Sequence, residues 1–163
     1  MEEHLPLFVH RIDPHGGQED EPVSPEFWVP DGVVYLGCPY SSDDPALEAA
    51  RASLATAVAA ELTAAGWVVV SPITQGHAMV RIRALPSDYT FWRHHCRTIL
   101  SVCAMIAYLD LPGADVSTGL RDELQYMRER GRPVARISLP DAHEAGATAV
   151  PWTDLRSGAL HGA

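Results

Sequence analysis

The chain has 163 residues, 47% of them hydrophobic, and a formal net charge of −9 at pH 7. This length can bury one sizeable core, so we expect a single main domain. The acidic balance, with no run rich in Lys or Arg, disfavours a polyanionic partner and predicts a small-molecule ligand and no nucleic acid polymer.

Targeting signals are not evident in the sequence. The N-terminal residues lack a basic start followed by an apolar run, and no uncharged stretch approaches the ~20 residues of a membrane span. The three cysteines are an odd number without a CxxC pair, which favours reduced thiols over a disulfide framework. We therefore expect a cytoplasmic protein with no membrane partner.

Composition divides the chain into three parts. Residues 1–31 mix acidic residues with prolines and two adjacent glycines, so we expect an N-terminal extension, flexible or arm-like, without regular structure. Residues 32–140 carry the periodic patterns of a folded domain, and residues 141–163 form a Pro- and Gly-containing C-terminal tail.

The first half of the domain shows two buried strands. VVYLG at 33–37 is a short apolar run that stops at Gly37, and WVVVSP at 67–72 repeats the pattern. Between them, Pro45 opens an Ala-rich segment with apolar residues at helical spacing, which predicts a helix over about 45–65. We interpret the stretch from the second strand to Pro86 as a long loop.

The second half shows two helices and two strands. Ser87 and Asp88 are candidate N-caps for a helix running through Cys103, and MIAYLDL predicts a third strand. A helix from Ser117 to Gly131 and a strand over 133–139 complete the pattern.

Strands and helices therefore alternate along the domain. This order predicts an α/β fold, flavodoxin- or Rossmann-like, with a mostly parallel sheet of four or five strands and helices on both faces. Ligands of such sheets bind at the carboxyl ends of the strands, which here are residues 37–40, 72–77 and 112–117.

Glu123 stands out on the last predicted helix. Leu120, Leu124 and Met127 mark its apolar stripe, and Glu123 lies three residues after Leu120 on that stripe. An inward carboxylate is typical of functional sites, although a glutamate at the edge of a stripe can also simply reach solvent.

Two motifs resemble the signature regions of the nucleoside 2-deoxyribosyltransferase superfamily, over roughly residues 33–138. They are VYLGCPY after the first strand and SxGxxxE, formed by Ser117, Gly119 and Glu123. The resemblance implies that Glu123 attacks the anomeric carbon of a nucleoside or nucleotide, releasing the base and leaving a glycosyl-enzyme. It also implies that Tyr35 helps to hold this nucleophile, whereas an ordinary core aromatic would explain Tyr35 equally well.

Ser117 bears on the substrate. The resembling transferases of free nucleosides tend to have Asp at this position, and the nucleotide N-hydrolases have Ser, which favours a 5′-monophosphate. A hydroxyl and free amides at a helix start suit an anion, although Ser117 could be only an N-cap.

Other residues are candidates for substrate binding. Gly37 and Gly119 belong to the two motifs, and Tyr40 and Ser41 follow the first strand, where turn composition alone also explains them. His77 resembles a histidine of a closer subfamily in which the loop after the second strand faces the base, but a lone histidine in a loop is more often a surface residue. We expect no cofactor. We also expect no metal, because the adjacent side chains of His94, His95 and Cys96 point about 100° apart on a helix.

The resemblance breaks at two positions where the superfamily carries Asp: this chain has Cys96 and Ala104. The first Asp handles the proton of the leaving base, and a thiol with an ordinary pKa of ~8.5 is a poorer acid at neutral pH. Candidate proton donors are Cys96, His95 and Asp88.

Three functions follow from these residues. The first is hydrolysis of the N-glycosidic bond of a nucleoside 5′-monophosphate, and the second is exchange of bases by sugar transfer. The third is a catalytically altered nucleotide-sensing or partner-binding module. The resemblance also implies a homodimer in which a neighbouring subunit closes the site, with the tail around Trp152 as a candidate contact.

Overall fold

The protein is described by a computed structural model over residues 5–13 and 18–139. The expected C-terminal tail over 141–163, with Trp152, lies outside these residues. The strands are β1 (Phe8–Ile12), β2 (Val33–Gly37), β3 (Val68–Val70), β4 (Met105–Leu109) and β5 (Val134–Ser138). The helices are α1 (Pro45–Ala64), α2 (Pro72–Ile82), α3 (Tyr89–Val102) and α4 (Thr118–Glu129), and a short 3-10 helix covers Pro25–Phe27.

The strands form one sheet in the order β1-β5-β4-β2-β3. The strands from β2 to β5 run parallel to one another, and β1 pairs antiparallel with β5. The predicted α/β fold, Rossmann- or flavodoxin-like with a mostly parallel sheet, is confirmed.

Helices pack on both faces of the sheet because alternate residues of β2 point to opposite sides. Val34 and Leu36 pack in one core with Leu54 of α1, whereas Tyr35 packs in a second core with Leu100 of α3. Burying each such aliphatic side chain stabilises the fold by roughly 1.5–3 kcal/mol relative to leaving it exposed. None of the helices in the described part of the chain has the length and apolar character needed to cross a membrane.

Regular structure begins earlier than the sequence predicts, because β1 lies within the expected extension over 1–31. Val9 is fully buried and pairs with Ile137 of β5, and Leu7 joins the same core. The backbone hydrogen bonds of β1 come from a strand at the other end of the domain, so local composition did not reveal it. The expectation that this segment lacks regular structure is wrong for residues 8–12.

Helix α2 occupies part of the stretch that we expected to be a long loop. The side chain of Ser71 accepts a hydrogen bond from the Thr74 amide at 3.3 Å, and Pro72 begins the helix, which are ordinary features of a helix start. Gly76 suggested a break, but it lies within the helix, and a Cβ at this position would make only an ordinary contact of 3.7 Å with the ring of Trp92 of α3. The loop prediction is therefore wrong for residues 72–82.

The order of the strands creates a crevice between β2 and β4. The chain leaves β2 through α1 to reach β3 on one side, and later crosses through α3 to β4 on the other side. The loops after β2 and β4 diverge at this topological switch point, where open α/β sheets bind their ligands.

Candidate active site

A cavity of about 800 Å³ lies at this crevice, between the loops after β2 and β4 and the helices α2, α3 and α4. A pocket of this size is ample for a small organic ligand. Gly37, Tyr35 and His95 are not among the residues that line it. The predicted site residues that do line it are Glu123, Ser117, Gly119, Tyr40, Ser41, His77, Cys96 and Asp88.

Glu123 projects from α4 into the inner end of this cavity and is only 6% exposed. The hydroxyl of Tyr35, itself 1% exposed, donates a 2.7 Å hydrogen bond to Oε1 of Glu123. Tyr35 thus reaches the carboxylate from beneath the cavity wall, where β2 meets α4. The structure brings together the two residues that the sequence analysis placed at the reacting centre.

Gly37 does not line the cavity, but its lack of a side chain leaves room for residues of α4. A Cβ at this position would lie 2.8 Å from Cδ1 of Leu120 and 3.6 Å from Oε2 of Glu123. Glycine therefore allows α4 to pack closely against the end of β2, and this packing positions the Glu123 carboxylate.

The pKa of Glu123 is raised toward neutral pH. Burial raises the pKa of Glu123 to about 7, and hydrogen bonds from Tyr35 and then Cys96 oppose this rise. The nearby charge of Asp122 raises the same pKa further. The pKa of Tyr35 lies well above its ordinary value, mainly through burial, so its hydroxyl stays a donor.

The three candidate proton donors have different surroundings. Burial, followed by the charge of Glu123, raises the pKa of Cys96 to about 12, so its thiol is a weak acid at neutral pH. His95 stands edge-on to Trp92 with ring centroids 5.6 Å apart, and its buried Nε2 has no hydrogen-bond partner in the described part of the chain. Asp88 lines the cavity and caps α3 by accepting a 3.1 Å hydrogen bond from the Phe91 amide.

Ser117 is the N-cap of α4. Its Oγ accepts a hydrogen bond from the Leu120 amide at 3.3 Å, and the helix begins at Thr118 beside the cavity. Capping and anion binding are compatible, since the first amides of the helix and the Ser117 hydroxyl proton remain for a ligand. At Gly119 a Cβ would lie 3.0 Å from the ring of Tyr89, so glycine lets that ring pack on the first turn.

Tyr40 and His77 join the loop after β2 to α2. The Tyr40 hydroxyl and Nδ1 of His77 are hydrogen-bonded at 2.9 Å, and both side chains line the cavity. We had expected His77 to lie in a loop, but it lies on α2. Ser41 contributes its carbonyl oxygen, which accepts a 3.1 Å hydrogen bond from Nη1 of Arg51.

Asp122 anchors a polar network that we did not predict. Its carboxylate accepts hydrogen bonds from the Tyr89 hydroxyl at 2.9 Å and from Nη2 of Arg97 at 2.6 Å, with Arg93 at 3.3 Å. Burial alone would raise the pKa of Asp122, but the bonds from Arg97 and Tyr89 outweigh it and lower the pKa. The network fastens α3 to α4 one residue away from Glu123.

Arg51 of α1 was also missed. It is 8% exposed, lines the cavity and donates hydrogen bonds to backbone carbonyls of both loops at the crevice. The signal for it was present, because Arg51 lies on the apolar stripe of α1 between Leu47 and Leu54 as Glu123 does on α4.

Metal ligation has no geometric support within the described residues. No three His, Cys, Asp or Glu side chains of residues 5–13 and 18–139 lie close enough to share an ion. The cavity combines a buried carboxylate that accepts a hydrogen bond from a phenol, the N-terminus of a helix and several aromatic side chains.

Comparison with known proteins gives a family but no activity. A search of curated proteins finds no match. Residues 32–139 match the model of a domain of unknown function, DUF1937, and this match assigns no reaction, so the resemblance to deoxyribosyltransferases stays a prediction. Because the matched region makes up most of the chain, the protein belongs to the DUF1937 family.

Proposed function

We propose that this protein hydrolyses the N-glycosidic bond of a nucleoside 5′-monophosphate, with Glu123 as the nucleophile. One observation carries the proposal: a buried carboxylate, held by the Tyr35 hydroxyl at 2.7 Å, lies in the wall of a cavity that also contains the start of α4. A burial-raised pKa near neutrality is typical of reacting carboxylates.

The reaction would run in two displacements. The ionised Glu123 carboxylate forms a bond to C1′, and the bond between C1′ and the base nitrogen breaks with its electron pair passing to the base. Water then attacks C1′ of the glycosyl ester, the carboxylate leaves with its electron pair, and the water loses a proton to solvent. Tyr35 keeps Oε1 oriented throughout, so that Oε2 is available for attack.

The leaving base needs a proton, and the donor must be a side chain that lines the cavity and is a sufficiently strong acid. Cys96 is a weak acid, and His95 is not part of the cavity wall. Asp88 lines the cavity and is the donor that we propose, and His77, which lines the same space, is the alternative. Asp88→Asn and His77→Gln test the assignment, because loss of the donor should slow release of an ordinary base much more than release of a base that leaves readily without protonation.

The phosphate would lie at the start of α4. Ser117 and the amides of Thr118 and Gly119 border the cavity, and the positive end of the helix dipole favours an anion there. This placement puts the sugar between the helix N-terminus and Glu123, which are a little more than one helical turn apart on α4.

Base release from a panel of nucleotides and nucleosides tests the proposal. We expect chromatography to show release from at least one 5′-monophosphate, faster than from the matching nucleoside. Glu123→Gln should abolish release, whereas Glu129→Gln, the same substitution on an exposed position of the same helix, should leave it unchanged. No release by wild-type protein from any substrate would refute the hydrolase.

Two other functions use the same cavity. If the glycosyl-enzyme outlives attack by water, the protein exchanges bases, and adding a second base to the assay would yield a new nucleotide. The weak acidity of Cys96 beside Glu123 favours a third function, binding of nucleotides without reaction. Calorimetry that shows tight binding in the absence of base release would identify that module.

The setting of the reaction belongs to the same proposal. The three cysteines are free and buried, which agrees with a reducing cytoplasm. We also propose that the protein acts as a homodimer, with the site completed by a neighbouring subunit. Sedimentation at micromolar concentration checks this, and a monomer would contradict it.

A further inference from the structure

Arg51 is a buried cation without an acidic partner in the described part of the chain. Apart from Glu123 it is the only charged side chain among residues 5–13 and 18–139 that is buried. No carboxylate in these residues forms an ion pair with it, and its buried Nε has no hydrogen-bond partner. Buried charges ordinarily have a countercharge, so this one calls for an explanation.

The guanidinium joins the two loops that frame the crevice. Nη1 donates to the carbonyls of Tyr40 and Ser41 in the loop after β2, both at 3.1 Å. Nη2 donates to the carbonyl of Pro112 in the loop after β4 at 3.0 Å. Arg51 therefore spans the switch point itself, directly beside the place where a ligand of this fold binds.

The chain leaves room for this side chain at Gly113. A Cβ at Gly113 would lie 2.9 Å from Nη2 of Arg51, and the φ of 97° at this position favours glycine as well. Gly113 begins the turn that leads to Ser117, because the Val116 amide donates to its carbonyl at 3.3 Å. The guanidinium thus contacts the segment that leads into α4, and Arg51, Gly113 and Ser117 all line the same cavity.

Three carboxylates that line the cavity, those of Glu48, Asp88 and Asp122, have partners other than Arg51. Glu48 accepts a 3.0 Å hydrogen bond from the Ser42 amide, and Asp88 accepts one from Phe91. Asp122 is neutralised by Arg97 and Arg93. Of the two arginines in the cavity wall, Arg93 is paired with Asp122, whereas Arg51 has no ion pair among residues 5–13 and 18–139.

We propose that Arg51 is a specificity-determining residue whose charge selects substrates with an anionic group at the sugar 5′ position. It acts as a positioning residue, because it holds both loops by backbone hydrogen bonds and supplies the positive potential without being consumed in the reaction. The proposal rests on the proposed nucleotide substrate, but it concerns binding and makes no use of Glu123. The recognised chemistry is a phosphate monoester on a pentose.

Calorimetry with D-ribose 5-phosphate and D-ribose separates charge selection from a purely structural role. We expect wild-type protein to bind the phosphate ester about tenfold or more tightly than the sugar, which is the scale of one hydrogen-bonded charge. Arg51→Met should lose most of this ratio while binding ribose as before, and Arg51→Lys, which keeps the charge but not the three carbonyl contacts, should retain part of it. A folded Arg51→Met protein with the wild-type ratio would overturn the proposal, as would wild-type protein without any preference for the phosphate ester.

A measurement on wild-type protein covers the case in which substitution of Arg51 prevents folding. With ¹⁵N-labelled arginine, the slowly exchanging Nε–H signal of this buried side chain should shift when inorganic phosphate is added. No shift up to saturation would overturn the proposal. These outcomes are independent of catalysis, since preferential binding without base release refutes only the hydrolase, and base release with an unchanged ratio in Arg51→Met refutes only the role of Arg51.

Discussion

The hydroxyl of Tyr35 donates a 2.7 Å hydrogen bond to Oε1 of Glu123, and both side chains are withdrawn from solvent. The bond crosses from the central strand β2 to helix α4 and joins residues far apart in sequence. It stabilises the ionised carboxylate against the effect of burial, so the Tyr35 hydroxyl increases the ionised fraction of Glu123 at neutral pH.

Tyr35→Phe tests this bond. Removing the donor leaves burial of Glu123 less opposed, so we expect its pKa to rise above about 7 and the acid limb of the rate profile to move to higher pH. Loss of a hydrogen bond to a charged group predicts about 10- to 100-fold slower base release at pH 7. An unchanged limb and rate would show that the bond has no part in catalysis.

The wild-type pH profile should report the ionisation of Glu123. Because the attacking form is the carboxylate and its pKa is about 7, the rate should increase about tenfold per pH unit below neutrality and level off above it. Initial rates measured between about pH 5 and about pH 8, within about two units of this pKa, check the expectation. A rate that is already level at pH 5 would mean that another group limits the reaction.

Glu123→Gln should stabilise the fold at alkaline pH. The folded-state pKa of about 7 exceeds the ordinary 4.5, so the stability associated with protonated Glu123 is complete below 4.5 and is lost as the pH rises through 7. The variant avoids burying an ionised group and should gain on the order of 3 kcal/mol at high pH, with almost no gain near pH 4.5. Urea unfolding at both ends of this range provides the measurement, with Glu129→Gln as the control, and an equal gain at both would contradict the pKa shift.

Two glycines should respond to alanine with opposite signs. Gly37→Ala forces a contact of 2.8 Å with Leu120, so we expect a loss of about 1–3 kcal/mol in unfolding free energy and weakened base release as α4 moves. Gly76→Ala meets only ordinary contacts in a helix and should gain about 0.5–1 kcal/mol. Denaturant unfolding of both variants measures this, and a Gly37→Ala protein as stable as wild type would contradict the close approach of α4 to β2.

Much of the fold was readable because its elements carry strong local patterns. β2 has the predicted bounds of 33–37, and α3 begins after the predicted cap Asp88. β1 was not readable, because its stability comes from pairing with β5 and from the burial of single residues such as Val9. α2 escaped prediction because its two buried residues are Pro72 and Gly76, which are residue types common in turns.

The site shows the same division. Glu123 was found because a charge on the apolar stripe of α4 is conspicuous. Arg51 occupies the equivalent kind of position on α1, but the small alanines around it make both faces of that helix look alike. The Asp122 network was not predictable, since it depends on the distance between α3 and α4 and not on any spacing within either helix.

The central claim is that Glu123 forms a covalent bond with the sugar. A 2′-fluoro nucleotide whose base the protein releases is the most direct probe, because the fluorine slows breakdown of a glycosyl-enzyme through its oxocarbenium-like transition state. Mass spectrometry after acid quench should show wild-type protein heavier by one fluorinated sugar phosphate, on the peptide that contains Glu123, and no adduct on Glu123→Gln. Base release without an adduct, or an adduct on another residue, would contradict the claim.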